Sequence, residues 1–196
     1  MTGVFLILLS YLIGSFPSAY LAGRLLKGID IRKVGDRNAG AANVYRHVGH
    51  TAGFMVSIID ISKGIVTILL AKAFSASEPV VLLCGLAAVA GHNWPVFIGF
   101  KGGRGAATTL GILLALLPKA IVPLLALSSI PFFLTRNTSL VCATIFAPLP
   151  FVARFMGASW LLIGYALALP CLVGLTHLFS TRHLSEEARH ETHYIR

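Results

Sequence analysis

Two stretches of this 196-residue chain combine glycine, amide and guanidinium groups at spacings suited to holding an anion. The first, VGDRNAGAANVYRHVG from Val34 to Gly49, sets Arg37 and Arg46 beside Asn38 and Asn43, while Gly35, Gly40 and Gly49 permit close backbone approach. Ala39, Ala41 and Ala42 leave space for a bound group. Guanidinium forks beside backbone N–H groups suit a phosphate or a carboxylate. A solvated basic loop is the plainer alternative, but it would not need two asparagines among small residues. The second stretch, GHNWPVFIGFKGGRGAATTLG from Gly91 to Gly111, places Lys101 and Arg104 among Gly102, Gly103 and Gly105, ahead of an Ala/Thr-rich helix start that includes Thr108. A glycine-rich turn opening a helix presents free N–H groups and the positive end of the helix dipole to an anion. No GK[ST] follows at P-loop spacing and no βαβ unit surrounds the glycines, which disfavours a nucleotide-hydrolysing enzyme.

Other polar residues stand where polarity is expensive. Asp60 and Lys63 lie three apart in an apolar segment, on one helical face, and read first as a structural ion pair. Arg136, Asn137 and Ser139 mark a polar turn between two apolar segments. The seven histidines, His92, His177 and His183 among them, are dispersed rather than clustered, and His92 reads as a satisfied interfacial side chain. Cys84, Cys142 and Cys171 lie singly in apolar stretches without zinc or CxxC spacing, so neither a metal nor a cofactor is expected. There is no GxSxG elbow, and no histidine is followed by aspartate five residues on. Chemistry at these loops must rest on positioning and charge stabilisation rather than on a triad.

The elements that position these loops are apolar. The chain is 56% hydrophobic and 12% charged, with a mean hydropathy of +0.82, whereas a soluble domain is typically about 25% charged. The expected class is an all-α polytopic membrane bundle of about seven helices, one domain over residues 1–196. Apolar segments run over residues 5–26, 51–74, 79–97, 106–117, 120–134, 138–153 and 160–179; a membrane span takes about 20 residues. The fourth and fifth are short, either tilted around Pro118 or a re-entrant pair. No cleavable leader is expected, since no basic residues precede Phe5. Of the 16 cations, 12 fall on the side of the first loop and the C-terminal tail, 3 on the other, and Lys63 within a segment. The positive-inside rule then places the N-terminus outside and the C-terminus in the cytoplasm. Both glycine-rich stretches and the tail converge on that cytoplasmic face. A net charge of +9 so distributed speaks for topology and anionic head groups, not for nucleic acid.

These motifs give the chain a resemblance to the bacterial PlsY family of acyl-phosphate:glycerol-3-phosphate acyltransferases. The likeness runs through GSFPSAYLAGRLLKGIDIRKVG (Gly14 to Gly35), NAGAANVYR (Asn38 to Arg46), GHNWPVFIGFKGGRGAAT (Gly91 to Thr108) and RNTSL (Arg136 to Leu140). It implies a seven-helix bundle in the bacterial inner membrane that makes lysophosphatidate and phosphate from acyl phosphate and glycerol 3-phosphate, without coenzyme A. It implies that Asn38, Gly40, Asn43 and Arg46 help hold glycerol 3-phosphate. Lys101, Gly102, Gly103, Arg104 and Gly105 would cradle the acyl phosphate, with Ser139 nearby and Arg37, His92, Thr108 and Arg136 among the substrate-binding candidates. Membrane lipids and the acyl-phosphate-forming enzyme are the implied partners.

Three positions depart from the family pattern. Asp36 stands where the family usually has serine, Arg37 where it has glycine, and Arg104 where it has lysine. Arg37 is the obvious neighbour to offset Asp36. The family's C-terminal histidine, with asparagine three residues on, falls at His177 with Ser180, or at His183 with Glu186. The expected chemistry is direct acyl transfer, with Lys101 and Arg104 offsetting the leaving phosphate and the proton passing to the donor's phosphate or to Asp36. A different phosphorylated acceptor, an organic-phosphate transporter or binding protein, and a retired family member are the alternatives.

Overall fold

Inside a bilayer every backbone N–H and C=O must be satisfied within the segment, so long apolar runs become helices. The computed structural model describes residues 2–135 and 137–182, together with Leu184, and is helical throughout its long elements. In chain order these are α1 (Thr2–Gly14), α2 (Ser18–Lys27), α3 (Ala41–His47), α4 (His50–Ala73), α5 (Glu78–Asn93), α6 (Ala106–Leu116), α7 (Pro118–Thr135), α8 (Thr138–Phe146), α9 (Leu149–Phe155) and α10 (Trp160–Thr181).

Among the described residues six units are long and apolar enough to cross a membrane: Thr2–Lys27, His50–Ala73, Glu78–Ile98, Pro118–Thr135, Thr138–Phe155 and Trp160–Thr181. The shorter apolar helix Ala106–Leu116 completes the seven units expected from the sequence. Large apolar side chains point outward along the bundle, Phe133, Phe151, Phe155 and Trp160 among them. A protein in water would not expose so many; facing lipid they are at home.

Three of the expected continuous segments are broken, the third of the seven where α5 ends at Asn93 ahead of a short turn over Val96–Ile98. The first bends at Ser15–Pro17, where proline lacks the N–H that would continue the ladder. At the bend the Phe16 carbonyl accepts hydrogen bonds from Ser18 N–H at 3.0 Å and from Lys63 Nζ at 2.6 Å. The sixth is split near Pro148 into α8 and α9. Around Pro118, the short α6 is followed by an 18-residue α7 rather than by a second short piece.

Helices α4 and α6 pack closely through glycine. A side chain at Gly64 would strike the backbone of Thr108 and Ile112, and one at Gly111 would strike Ile61. Small residues let backbones approach where lipid offers no hydrophobic drive between helices. Around this contact Ile68, Ile112, Leu113, Ile121, Leu149 and Leu169 are fully buried. A smaller apolar cluster of Ala19, Ile31, Val44 and Val56 sits beneath the loop of residues 28–40 and anchors it to α2, α3 and α4. That loop, the segment 94–105 and the end of α10 meet at one end of the bundle.

Candidate anion-binding site

The loop of residues 28–40 is shaped by its own polar groups. Asn43, fully buried on α3, directs Nδ2 to the carbonyls of Ile31, Val34 and Asn38, each at 3.0 Å. The sequence placed Asn43 among the substrate contacts. In the structure its amide nitrogen is committed to the loop backbone, so Asn43 shapes the turn that carries Asp36. Gly35 must be glycine, since a side chain there would meet Asn43 and His47.

On this turn sits Asp36, buried to 3% exposure. Its Oδ1 accepts from the backbone N–H of Asn38 at 3.2 Å. Its Oδ2 lies 3.3 Å from Arg46 Nη2 and accepts from Arg104 Nη1 at 3.2 Å. The expectation that Arg37 offsets Asp36 is not met. Arg37 adopts a left-handed backbone, φ 56°, and its side chain is exposed. The partners instead come from α3, ten residues on, and from the glycine-rich turn, 68 residues on.

Arg104 is held on three sides. Its Nε donates to Ser180 Oγ at 2.8 Å, and its carbonyl accepts from Thr176 Oγ1 at 3.1 Å. Burial presses its guanidinium below the usual arginine range, while the Asp36 carboxylate pulls it back up. Ser180 is the residue that pairs with His177 in the gapless reading of the C-terminal motif, so that stretch of α10 does reach the site. His177 is half-buried, and its carbonyl accepts from Ser180 Oγ and Thr181 Oγ1. His183 and Arg136 lie outside the described residues.

The glycine-rich turn folds back on the end of α5. Gly102 N–H donates to Asn93 O at 3.0 Å and Gly103 N–H to the His92 carbonyl at 3.1 Å. A side chain at Gly103 would collide with the His92 ring. Gly105, left-handed at φ 83°, caps α6, whose first-turn N–H groups face the turn. Lys101 is exposed, and Thr108 is fully buried inside α6. Asn93, which the sequence reading left unassigned, is buried beside Gly105. Only its place in the GHNWP run could have signalled it. Gly40 opens α3, and Ser139 stands in the first turn of α8.

Beneath the turn lies a second polar group at membrane depth. Asp60 Oδ1 accepts from Lys63 Nζ at 2.6 Å and from Ser18 Oγ at 2.7 Å. His92 Nδ1 lies 3.7 Å from the same oxygen. The expected structural ion pair is thus present, and His92 belongs to it rather than standing alone at the interface. Ser18, Lys63, His92, Gly102 and Gly103 line a narrow cleft opening below the turn. Across the bundle end, Arg32 chelates Asp30 at 2.9 and 2.8 Å and lies over the Tyr20 ring. Among the described residues no three His, Cys, Asp or Glu side chains are grouped to hold a metal ion.

This arrangement can receive anions: two nearly buried guanidiniums converge beside a helix N-terminus. Comparison with known proteins points the same way. A family model described as glycerol-3-phosphate acyltransferase matches residues 4–189. Glycerol-3-phosphate acyltransferase 4 of Dehalococcoides mccartyi is 43% identical over 176 residues, 90% of this chain and 95% of its own length. Glycerol-3-phosphate acyltransferase 1 of Moorella thermoacetica is 38% identical over 177 residues, 90% of this chain and 89% of its own. The crystal structure of PlsY (YgiH), an integral membrane glycerol 3-phosphate acyltransferase, in its glycerol 3-phosphate form matches at a TM-score of 0.84 and 33% identity, covering 94% of this chain and 92% of that one. Its lysophosphatidic acid form matches at 0.81 and 32% identity.

Proposed function

The chain belongs to the glycerol-3-phosphate acyltransferase family, and on that premise we propose that it moves an acyl group from acyl phosphate to the sn-1 hydroxyl of glycerol 3-phosphate. The observation that carries this reading is the convergence of Arg46 and Arg104 on one point, Asp36 Oδ2, beside the turn that opens α6.

Arg46 and Asn38 hold the acceptor phosphate, and Gly40 leaves room for its approach. The glycine turn from Lys101 to Gly105 and the N-terminus of α6 receive the acyl phosphate, whose charge suits free N–H groups and a helix dipole. Held together, the glycerol oxygen attacks the acyl carbon, the bond from that carbon to the phosphate oxygen breaks, and phosphate leaves. Lys101 and Arg104 offset the charge that gathers on it. The hydroxyl proton passes to the departing phosphate. Asp36 is the poorer acceptor because both its oxygens already receive N–H groups. No covalent enzyme intermediate and no cofactor enter the scheme.

The acyl chain lies against the bilayer. An open apolar groove lined by Ile13, Phe16, Ile58, Ile59 and Val66 reaches Lys63 and shares Phe16 with the polar cleft. That supports lateral entry of a lipid-soluble donor between α1 and α4. We place the site at the cytoplasmic face of the bacterial inner membrane, following the distribution of cations, and read residues 1–196 as one domain. The enzyme that forms acyl phosphate is the natural supplier of the donor.

Purified protein in lipid, given palmitoyl phosphate and radiolabelled glycerol 3-phosphate, tests this. Lysophosphatidate formed from palmitoyl phosphate but not from palmitoyl-CoA, and lost in Lys101→Ala, is the expected result. No product with either donor from folded protein would sink the assignment.

A further inference from the structure

Asp36 presents a carboxylate inside a site built for anions. One of its oxygens lies between two guanidiniums, 3.3 Å from Arg46 Nη2 and 3.2 Å from Arg104 Nη1. The other accepts a backbone N–H from Asn38 at 3.2 Å. Guanidinium forks on one oxygen and a main-chain donor on the next is how a phosphate would be held. The arginine side chains are only 9% and 10% exposed and the carboxylate 2%. Two guanidiniums this buried would oppose each other without an anion between them.

Building on the acyltransferase reading, we infer that Asp36 is an internal competitor of the acceptor phosphate: it caps Arg46 and Arg104 in the empty site and gives way when glycerol 3-phosphate binds. The carboxylate thereby sets acceptor affinity. A phosphate needs the same N–H groups, and a carboxylate that stayed in place would repel it. Release needs only rotation about the aspartate side chain. The turn beneath it is closed independently, by Arg37 N–H to Val34 O at 3.0 Å and by the Asn43 amide. Arg104 stays anchored throughout by Ser180 and Thr176, and so waits in place for the exchange.

Two other roles for the same carboxylate make different predictions. A permanent clamp holding the guanidiniums in position would weaken substrate binding when removed. A proton acceptor would leave binding unchanged and slow turnover.

The test is the dissociation constant of inorganic phosphate and of glycerol 3-phosphate, measured by calorimetry on the full chain in lipid nanodiscs. Wild type, Asp36→Ser and the isosteric Asp36→Asn are compared, with turnover on palmitoyl phosphate recorded alongside. Tighter binding of both anions by about tenfold in both variants, with the KM for glycerol 3-phosphate falling in step, is expected. Weaker binding in well-folded variants overturns the inference in favour of the clamp. A hundredfold loss of kcat at unchanged affinity overturns it in favour of the proton acceptor. Failure of both variants to fold overturns it too, because a carboxylate on which the fold depends cannot be one that steps aside. If the wild type makes no lysophosphatidate, the acyltransferase reading fails by itself, and the phosphate affinities still decide the role of Asp36.

Discussion

Arg32 Nη1 donates to the carbonyl of Ile98 at 2.7 Å, across 66 residues of sequence. The same guanidinium chelates Asp30 and lies 4.7 Å from the centre of the Tyr20 ring. One side chain therefore ties the loop that carries Asp36 to the segment that leads into Lys101–Gly105. The two halves of the site belong to different loops, and the geometry between them depends on such ties.

Removing that tie should loosen the site without touching a substrate contact. Arg32→Ala is expected to raise the KM for glycerol 3-phosphate about tenfold and to lower the melting temperature by several degrees. Arg32→Lys should recover little, because one ammonium cannot chelate Asp30 and reach Ile98 together. Steady-state kinetics beside thermal unfolding check this, and an unchanged KM in a destabilised Arg32→Ala protein would show that the tie is only structural.

Asp30 gives the same cluster a pH signature. Its carboxyl is held at about 2, against 3.8 ordinarily, chiefly by the Arg32 side-chain hydrogen bond, with the Arg32 backbone N–H and charge adding to it against desolvation. The folded state thus favours the ionised form. Its contribution is complete above the unfolded value near 3.8 and disappears as pH falls through about 2. The shift corresponds to about 2 kcal/mol, and solvent reaching the partly exposed arginine partners screens that to about 1 kcal/mol. Wild type should melt several degrees above Asp30→Asn at pH 7, with the gap closing between pH 4 and pH 2. A gap that stayed constant over that range would assign the stabilisation to something other than the charge.

The buried pair on α4 predicts an asymmetry between single and double changes. Asp60 and Lys63 are 1% and 6% exposed in their side chains, and Lys63 also satisfies the Phe16 carbonyl at the break between α1 and α2. Asp60→Ala leaves a buried ammonium without its counter-charge and should cost about 3–5 kcal/mol. The double change Asp60→Leu with Lys63→Met removes both charges and should cost less than either single change. Thermal unfolding in detergent decides it. A double variant worse than both singles would mean that the pair contributes net stability.

Much of this was legible in the sequence because hydropathy and glycine spacing are local signals. Seven apolar units, the two glycine-rich stretches that meet at one end of the bundle and the Asp60–Lys63 pair all follow from residues a few positions apart. What could not be read were pairings made in three dimensions. Asp36 was assigned the cation next to it, yet the left-handed backbone of Arg37 carries that side chain away, and the partners arrive from α3 and from a turn 68 residues on. The part Asn43 plays in shaping its loop could not be read either, because the three carbonyls that claim its nitrogen are brought together only by folding. Thr176 gave no signal at all, and Ser180 only its place three residues after His177, because a hydroxyl on an apolar helix acquires meaning only from what packs against it.

Arg104 and Asp36 should prove energetically coupled. Both positions depart from the pattern of the resembling family, toward arginine and toward aspartate, and the two side chains meet at 3.2 Å. The guanidinium spans Asp36 and Ser180 at once through different nitrogens, a reach that a lysine ammonium lacks. Arg104→Lys alone should therefore lower kcat/KM about tenfold, since Asp36, losing one of its two guanidiniums, settles on Arg46 and competes harder with the acceptor phosphate. In an Asp36→Ser background, where no carboxylate requires the fork, the same change should cost only about twofold to threefold. The difference corresponds to a coupling of about 1 kcal/mol, within the range of directly contacting residues. A double-mutant cycle on kcat/KM measures it. Equal losses in both backgrounds would show that the two departures arose independently and that the fork serves the leaving phosphate alone.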